Sequence, residues 1–176
     1  MSLRKTNAVF SLISTVLLLG HAISLAVWML SRGSVPKAPS ALPRALTVAF
    51  LIHAILSIIL IISANKGRRK SSGKHYVKQN RATLVQRISG ALMIIFTWLH
   101  IAGTVGIMTP PPAVHAVVPT LFFTLVMAHV AISTSKAFIT LGIGNAAFVK
   151  RSDLVIKVIC AVTLVADVIG FYLHVC

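Results

Sequence analysis

The sequence predicts an all-α polytopic membrane protein, a five-helix transmembrane bundle formed as a single domain over residues 1–176. Three observations carry this expectation. The chain is 57% hydrophobic and holds only two acids, Asp153 and Asp167; its mean hydropathy is +0.92. Charged residues make up 11% of it, against about 25% in a soluble domain. Its uncharged runs exceed the ~18 residues that mark a membrane-spanning helix, and 176 residues so used leave no room for a separate soluble catalytic domain.

The spans are expected near residues 7–31, 44–64, 84–108, 114–142 and 152–175. The first follows Arg4 and Lys5 in the manner of a signal peptide. Its apolar run continues from Ala8 to Leu30 without a small-residue cleavage site, so it reads as a retained helix. The second span is set off by the breaker-rich stretch Ser31 to Pro39. Between the second and third lies a strongly basic connection from Lys66 to Arg81. Pro110, Pro111 and Pro112, which a helix interior does not tolerate, separate the third from the fourth. Gly142, Gly144 and Asn145 form a helix stop before the fifth. Cys160 and Cys176 make neither a CxxC nor a zinc spacing, and Cys160 reads as a small apolar packing residue.

A formal charge of +15 raises the question of a nucleic-acid partner. The charge sits at helix ends and in one loop, where membrane orientation and anionic lipid headgroups account for it; membrane lipids, and no nucleic acid, are the expected contacts. Fourteen lysines and arginines fall on the side of the amino terminus, among them Arg4, Lys66, Arg87, Lys136 and Arg151. Only Arg32, Lys37 and Arg44 fall on the other side. Because positive loops stay inside, the amino terminus is expected in the cytoplasm and the carboxyl terminus outside.

Four histidines punctuate these spans, one in each of the first four: His21, His53, His100 and His129. One such histidine alone reads as a buried packing residue. Four in consecutive spans point to function, because ionisable groups inside a membrane are costly. Neutral imidazole is a good iron ligand, so four can form two bis-histidine pairs, enough for two haems. At ~1.5 Å of rise per residue, His21 and His100 lie ~21–24 Å from the inner edge, and His53 and His129 ~17–20 Å. Depth therefore sorts them into an outer pair, His21 with His100, and an inner pair, His53 with His129. Gly20 and Gly103 would let a flat macrocycle approach the backbone, and Ser57 and Ser133, each four residues after a histidine, could orient an imidazole or bond a backbone carbonyl.

Lys136 lies two turns beyond His129 on nearly the same face, suited either to a haem propionate or to snorkelling at the interface. Arg87 opens the third span and is a similar candidate for propionate or quinone contact. Asp167 is the only acid deep in a span, a candidate proton or quinone group or the partner of a cation or histidine. His75, His115 and His174 fall in the basic loop and near span ends and carry no assignment.

The stretch from Asn80 to Gly90 contains Gln86-Arg87-Ile88-Ser89-Gly90, and Trp98-Leu99-His100 follows ten residues after it. Together with one histidine in each of the first four of five spans, this resembles the di-haem cytochrome b (b558-type) membrane anchor subunit of succinate dehydrogenase and fumarate reductase. The resemblance covers most of the chain and has one specific local motif. It departs at the amino terminus, where Arg4-Lys5-Thr6-Asn7 replaces an expected Arg-Arg-Leu-His-Ser stretch. The resemblance implies two haem b groups, one on His21 and His100 and one on His53 and His129. It implies a quinone, menaquinone by expectation, as the membrane substrate. It implies flavoprotein and iron–sulfur subunits on the cytoplasmic side of the cell's inner membrane, with succinate or fumarate handled there and not by this chain, the quinone-reactive anchor. Two alternatives stay open: a di-haem cytochrome b serving a different soluble reductase, and a haem-free small membrane transporter or structural protein.

Overall fold

Leu3–Leu30 (α1), Ala41–Lys70 (α2), Arg81–Thr104 (α3), Pro112–Leu141 (α4) and Ala146–Val175 (α5) are the helices of the computed structural model. It describes residues 2–37, 39–70, 81–104, 106–107 and 112–175, without the side chains of 65–70, 81, 82, 104, 112–116, 174 and 175. His75, Pro110 and Pro111 lie outside the described residues, as do the side chains of Arg81, His115 and His174. Among the described residues there is no strand. Every helix contains a stretch long and apolar enough to cross a membrane, from 21 residues in α3 to 28 in α1 and α5. The chain is a multi-pass membrane protein.

The helices begin earlier than hydrophobicity suggests because caps, not apolar residues, set their starts. The Ser2 hydroxyl accepts from the Lys5 N–H at 3.4 Å and opens α1 at Leu3. Asn145 Oδ1 accepts from the Phe148 N–H at 2.9 Å, so Asn145 is the start of α5 as much as the stop of α4. Gly142, at φ +73°, is the residue that turns the chain out of α4, a conformation a side chain would resist. Lys150 and Arg151 consequently sit inside α5 rather than before it. Helix α2 runs on through the basic segment to Lys70, beyond the apolar span that ends at Ala64. Helix α3 stops at Thr104, short of residue 108, where Ile107 N–H donates to the Ala102 carbonyl at 2.9 Å. Of the prolines, Pro112 is the first residue of α4, where no N–H is needed, and Pro119 lies within it.

Helices α1 and α4 are central. α1 packs against α2, α4 and α5, and α4 packs against α1, α3 and α5. Their shared interior is made of small residues. Ala8, Ser11, Thr15, Ala22 and Ala26 of α1 are buried, as are Ser133, Thr134 and Ala137 of α4. In a membrane, lipid tails are as apolar as leucine, so close backbone approach and hydroxyl bonds drive helix association instead. The large apolar side chains point outward: Val16 is 71% exposed and Val162 64%. That inverted pattern fits a lipid surround. Cys160 is buried in the central cluster with Ala22, Met93, Val126, Met127 and Val130, packing as a small apolar side chain.

Two polar clamps fix one end of the bundle, here called the amino-terminal end. Ser135 of α4 donates to Asp153 Oδ1 of α5, whose other oxygen meets Lys157 Nζ at 2.5 Å. Ser57 of α2 donates to Asn7 Oδ1 of α1 at 3.3 Å. At the opposite end Thr120 donates to the Tyr172 hydroxyl at 3.5 Å, joining α4 to α5.

Candidate functional site

The alternating directions of α1 to α4 bring the start of α1, the end of α2, the start of α3 and the end of α4 around one cavity of about 310 Å³. This lies within the ~300–1,000 Å³ of ligand and cofactor sites. Arg4, Asn7, His53, Gln86, Arg87 and Lys136 line it with small and aliphatic residues. Three of these are cations, and no aspartate or glutamate lines the cavity.

His53 of α2 faces this space. Its ring reaches the backbone of Asn7, yet Nδ1 is buried without a hydrogen-bond partner. His129 of α4 lies one turn before Ser133, which lines the same cavity. Its Nδ1 lies 3.0 Å from Ser89 Oγ of α3. Ser89 Oγ also stands 2.7 Å from the Val85 carbonyl and 3.2 Å from the Gln86 carbonyl. With the serine's proton on one of these carbonyls, Nδ1–H would donate to Oγ and Nε2 would keep its lone pair, the form of imidazole that binds a metal.

His100 of α3 and His21 of α1 are outside the residues that line this cavity. The His100 ring stacks on Phe122 of α4, with centroids 5.2 Å apart and planes at 27°. His53 and the turn after His129 thus share one cavity, and His21 and His100 lie away from its lining. A haem iron takes four ligands from the porphyrin, so two imidazoles complete it. Among the described residues there is no cluster of three or more histidine, cysteine or acidic side chains, and a bis-histidine haem does not call for one. The contact of His129 Nδ1 with Ser89, the orphaned Nδ1 of His53 and the acid-free cationic cavity beside them fit such a group.

Lys136 is engaged rather than free. Its ammonium donates to Gln86 Oε1 at 2.6 Å and to Thr83 Oγ1 at 3.3 Å, both neutral partners from α3. Its positive charge therefore remains uncompensated at the cavity wall. Arg87 lines the cavity as expected for a candidate contact. Ser133 donates to the His129 backbone carbonyl at 2.7 Å rather than to the ring. Gly103 has nothing near it, and the space at Gly20 meets only Leu42, 4.0 Å away. The glycine that touches a candidate ligand is instead Gly90, where a Cβ would stand 3.0 Å from His129 Cε1.

Asp167 is fully enclosed, and neither carboxylate oxygen has a hydrogen-bond partner among the described residues. It lies on α5, away from the lining of the cationic cavity. Sequence reasoning missed Arg4, Asn7 and Ser89. Arg4 and Asn7 open the first helix, and Ser89 belongs to the Gln86–Gly90 element, so position in a motif was the available signal. No family model, no curated protein and no solved structure matches the chain.

Proposed function

We propose that this protein is the membrane anchor and electron-transfer subunit of a respiratory oxidoreductase, holding two b-type haems. His21 and His100 would ligate one and His53 and His129 the other. Electrons would pass between a quinone in the bilayer, menaquinone by expectation, and a flavoprotein and iron–sulfur pair of the succinate dehydrogenase or fumarate reductase kind. That pair would dock at the amino-terminal end, which the excess of lysine and arginine assigns to the cytoplasmic face.

The observation that carries this reading is the cavity at His53: three cationic side chains converge on it and no carboxylate answers them. Cations gathered at the end of a membrane span without acidic partners call for an anionic ligand, and haem brings two propionates. Bound haem supplies a one-electron iron couple. The chain's own residues do the rest. The imidazoles of His21, His53, His100 and His129 would hold the iron from four helices, Lys136, Arg87 and Arg4 would offset propionate charge, and the apolar surround would keep water from the iron.

A haem-free transporter is the second reading, and Asp167 favours it. An enclosed, unpartnered carboxyl in a membrane helix is the kind of group that carries ions or protons. One experiment separates the two. The chain is expressed with haem supplied, purified, and its dithionite-reduced minus oxidised spectrum recorded. A b-type α band with haem at two per chain is expected, and a colourless protein of native helical content overturns the haem reading.

A further inference from the structure

The Gln86–Gly90 element lies at the level of the amino-terminal cavity, yet the histidine it precedes, His100, is outside that cavity's lining. Its own role is therefore open. Its side chains meet α4. Gln86 accepts from Lys136, Ser89 Oγ lies 3.0 Å from His129 Nδ1, and Gly90 lies against the same imidazole.

We propose that Ser89 and Gly90 are positioning residues that seat the His129 imidazole on α3: Ser89 fixes the tautomer that frees Nε2, and Gly90 sets the distance and tilt of the ring. This deepens the haem reading and rests on it for its redox consequences. Two observations carry it independently. The first is the contact of His129 Nδ1 with Ser89 Oγ, beside the Val85 and Gln86 carbonyls at 2.7 Å and 3.2 Å that can take the serine's own proton. A serine with a free hydroxyl proton could serve either tautomer; one whose proton goes to a carbonyl accepts. The second is space. A Cβ at residue 90 would stand 3.0 Å from Cε1 and 3.5 Å from Nδ1, so the ring or α3 must give by a few tenths of an ångström if any side chain is placed there. Helix α3 would then hold both haems at once, supplying a ligand to one at His100 and orienting a ligand of the other eleven residues earlier.

An acceptor on Nδ1–H makes imidazole a more basic ligand, which favours ferric iron and lowers the potential. Losing an outer partner of this kind weakens metal binding about tenfold to a hundredfold. The test uses the full-length chain with Ser89→Ala, Ser89→Thr and Gly90→Ala. For Ser89→Ala we expect haem transfer to a scavenging protein about tenfold faster, and an upward shift in the potential of the one component that His129→Ala removes. The other component keeps its potential and its electron paramagnetic resonance signature. Ser89→Thr restores both properties, and Gly90→Ala changes the spin-resonance signature of the same component by turning the ring. No change in Ser89→Ala, or a change in the component lost with His21→Ala, overturns the proposal. Nitrogen-15 spectra of histidine-labelled, haem-free protein read the seat without any haem. His129 protonated at Nδ1 in the parent chain, and no longer uniquely so in Ser89→Ala, is expected; protonation at Nε2 in the parent chain overturns the proposal even if no haem binds.

Discussion

His53 and His129 on one side, and His100 on the other, sit among unlike neighbours in one bundle. Around His53 and His129 the walls are polar and cationic: Arg4, Arg87 and Lys136 line the cavity, and Ser89 and Gln86 tie α3 to α4. Around His100 the neighbours are aromatic. Its ring stacks on Phe122, whose neighbour Phe123 lies 6.3 Å away, with Phe171 6.4 Å further on and Tyr172 5.8 Å beyond that. The same ligand type is thus set in two electrostatic settings. Cations favour the reduced iron, which carries one less positive charge, so the account gives the His53–His129 haem the higher potential. Two identical ligand sets would serve as two unequal steps because of what surrounds them.

The largest effect that could break this comparison comes from the ligands themselves. His53→Ala and His129→Ala should each remove the same haem, halving the haem-to-protein ratio, and His21→Ala and His100→Ala should each remove the other. Pyridine haemochrome assay and difference spectra check this; a shared loss between His21 and His53 would dissolve the pairing. Next in size is Lys136→Gln. Lys136 is seven residues from His129, ~10 Å along the helix. A unit charge at that distance is worth about 1–2 kcal/mol at an effective dielectric of ~20. The high-potential component should therefore move down toward the other, and the separation should shrink in a redox titration, more so at low salt. Phe122→Leu addresses the aromatic half. Losing a stacked ring pair costs ~0.5–1.5 kcal/mol, and haem should dissociate faster from the His21–His100 site alone. The smallest effect is Asn145→Ala. Removing the cap of α5 should lower thermal stability by an amount near the low end of ~0.5–2 kcal/mol and leave both redox components where they were.

The fold was legible because membrane spans announce themselves by length. Apolar runs and proline, glycine or lysine-rich breaks fix five helices, and helical rise alone sorts the histidines by depth. The caps were less visible. Ser2 and Asn145 extend α1 and α5 by residues whose side chains are polar, and hydrophobicity cannot see them. The centrality of α1 and α4 was also hidden, since hydropathy is highest in α2 and does not track it, and the signal lies in small residues such as Ala22, Ala26 and Ala137. Within the site, Lys136 and Arg87 were found from their spacing along the helices. Ser89 was not, because its contact with His129 spans forty residues and arises from the register of α3 on α4. The complete enclosure of Asp167 without a partner likewise follows from packing and not from pattern.

The central claim, two haems held in two unequal settings, is tested most directly by a potentiometric titration of the purified chain followed at the b-type α band. The account expects two one-electron components of equal amplitude, with the higher one absent from both His53→Ala and His129→Ala. A single component, or a lower component lost in those two variants, would contradict it.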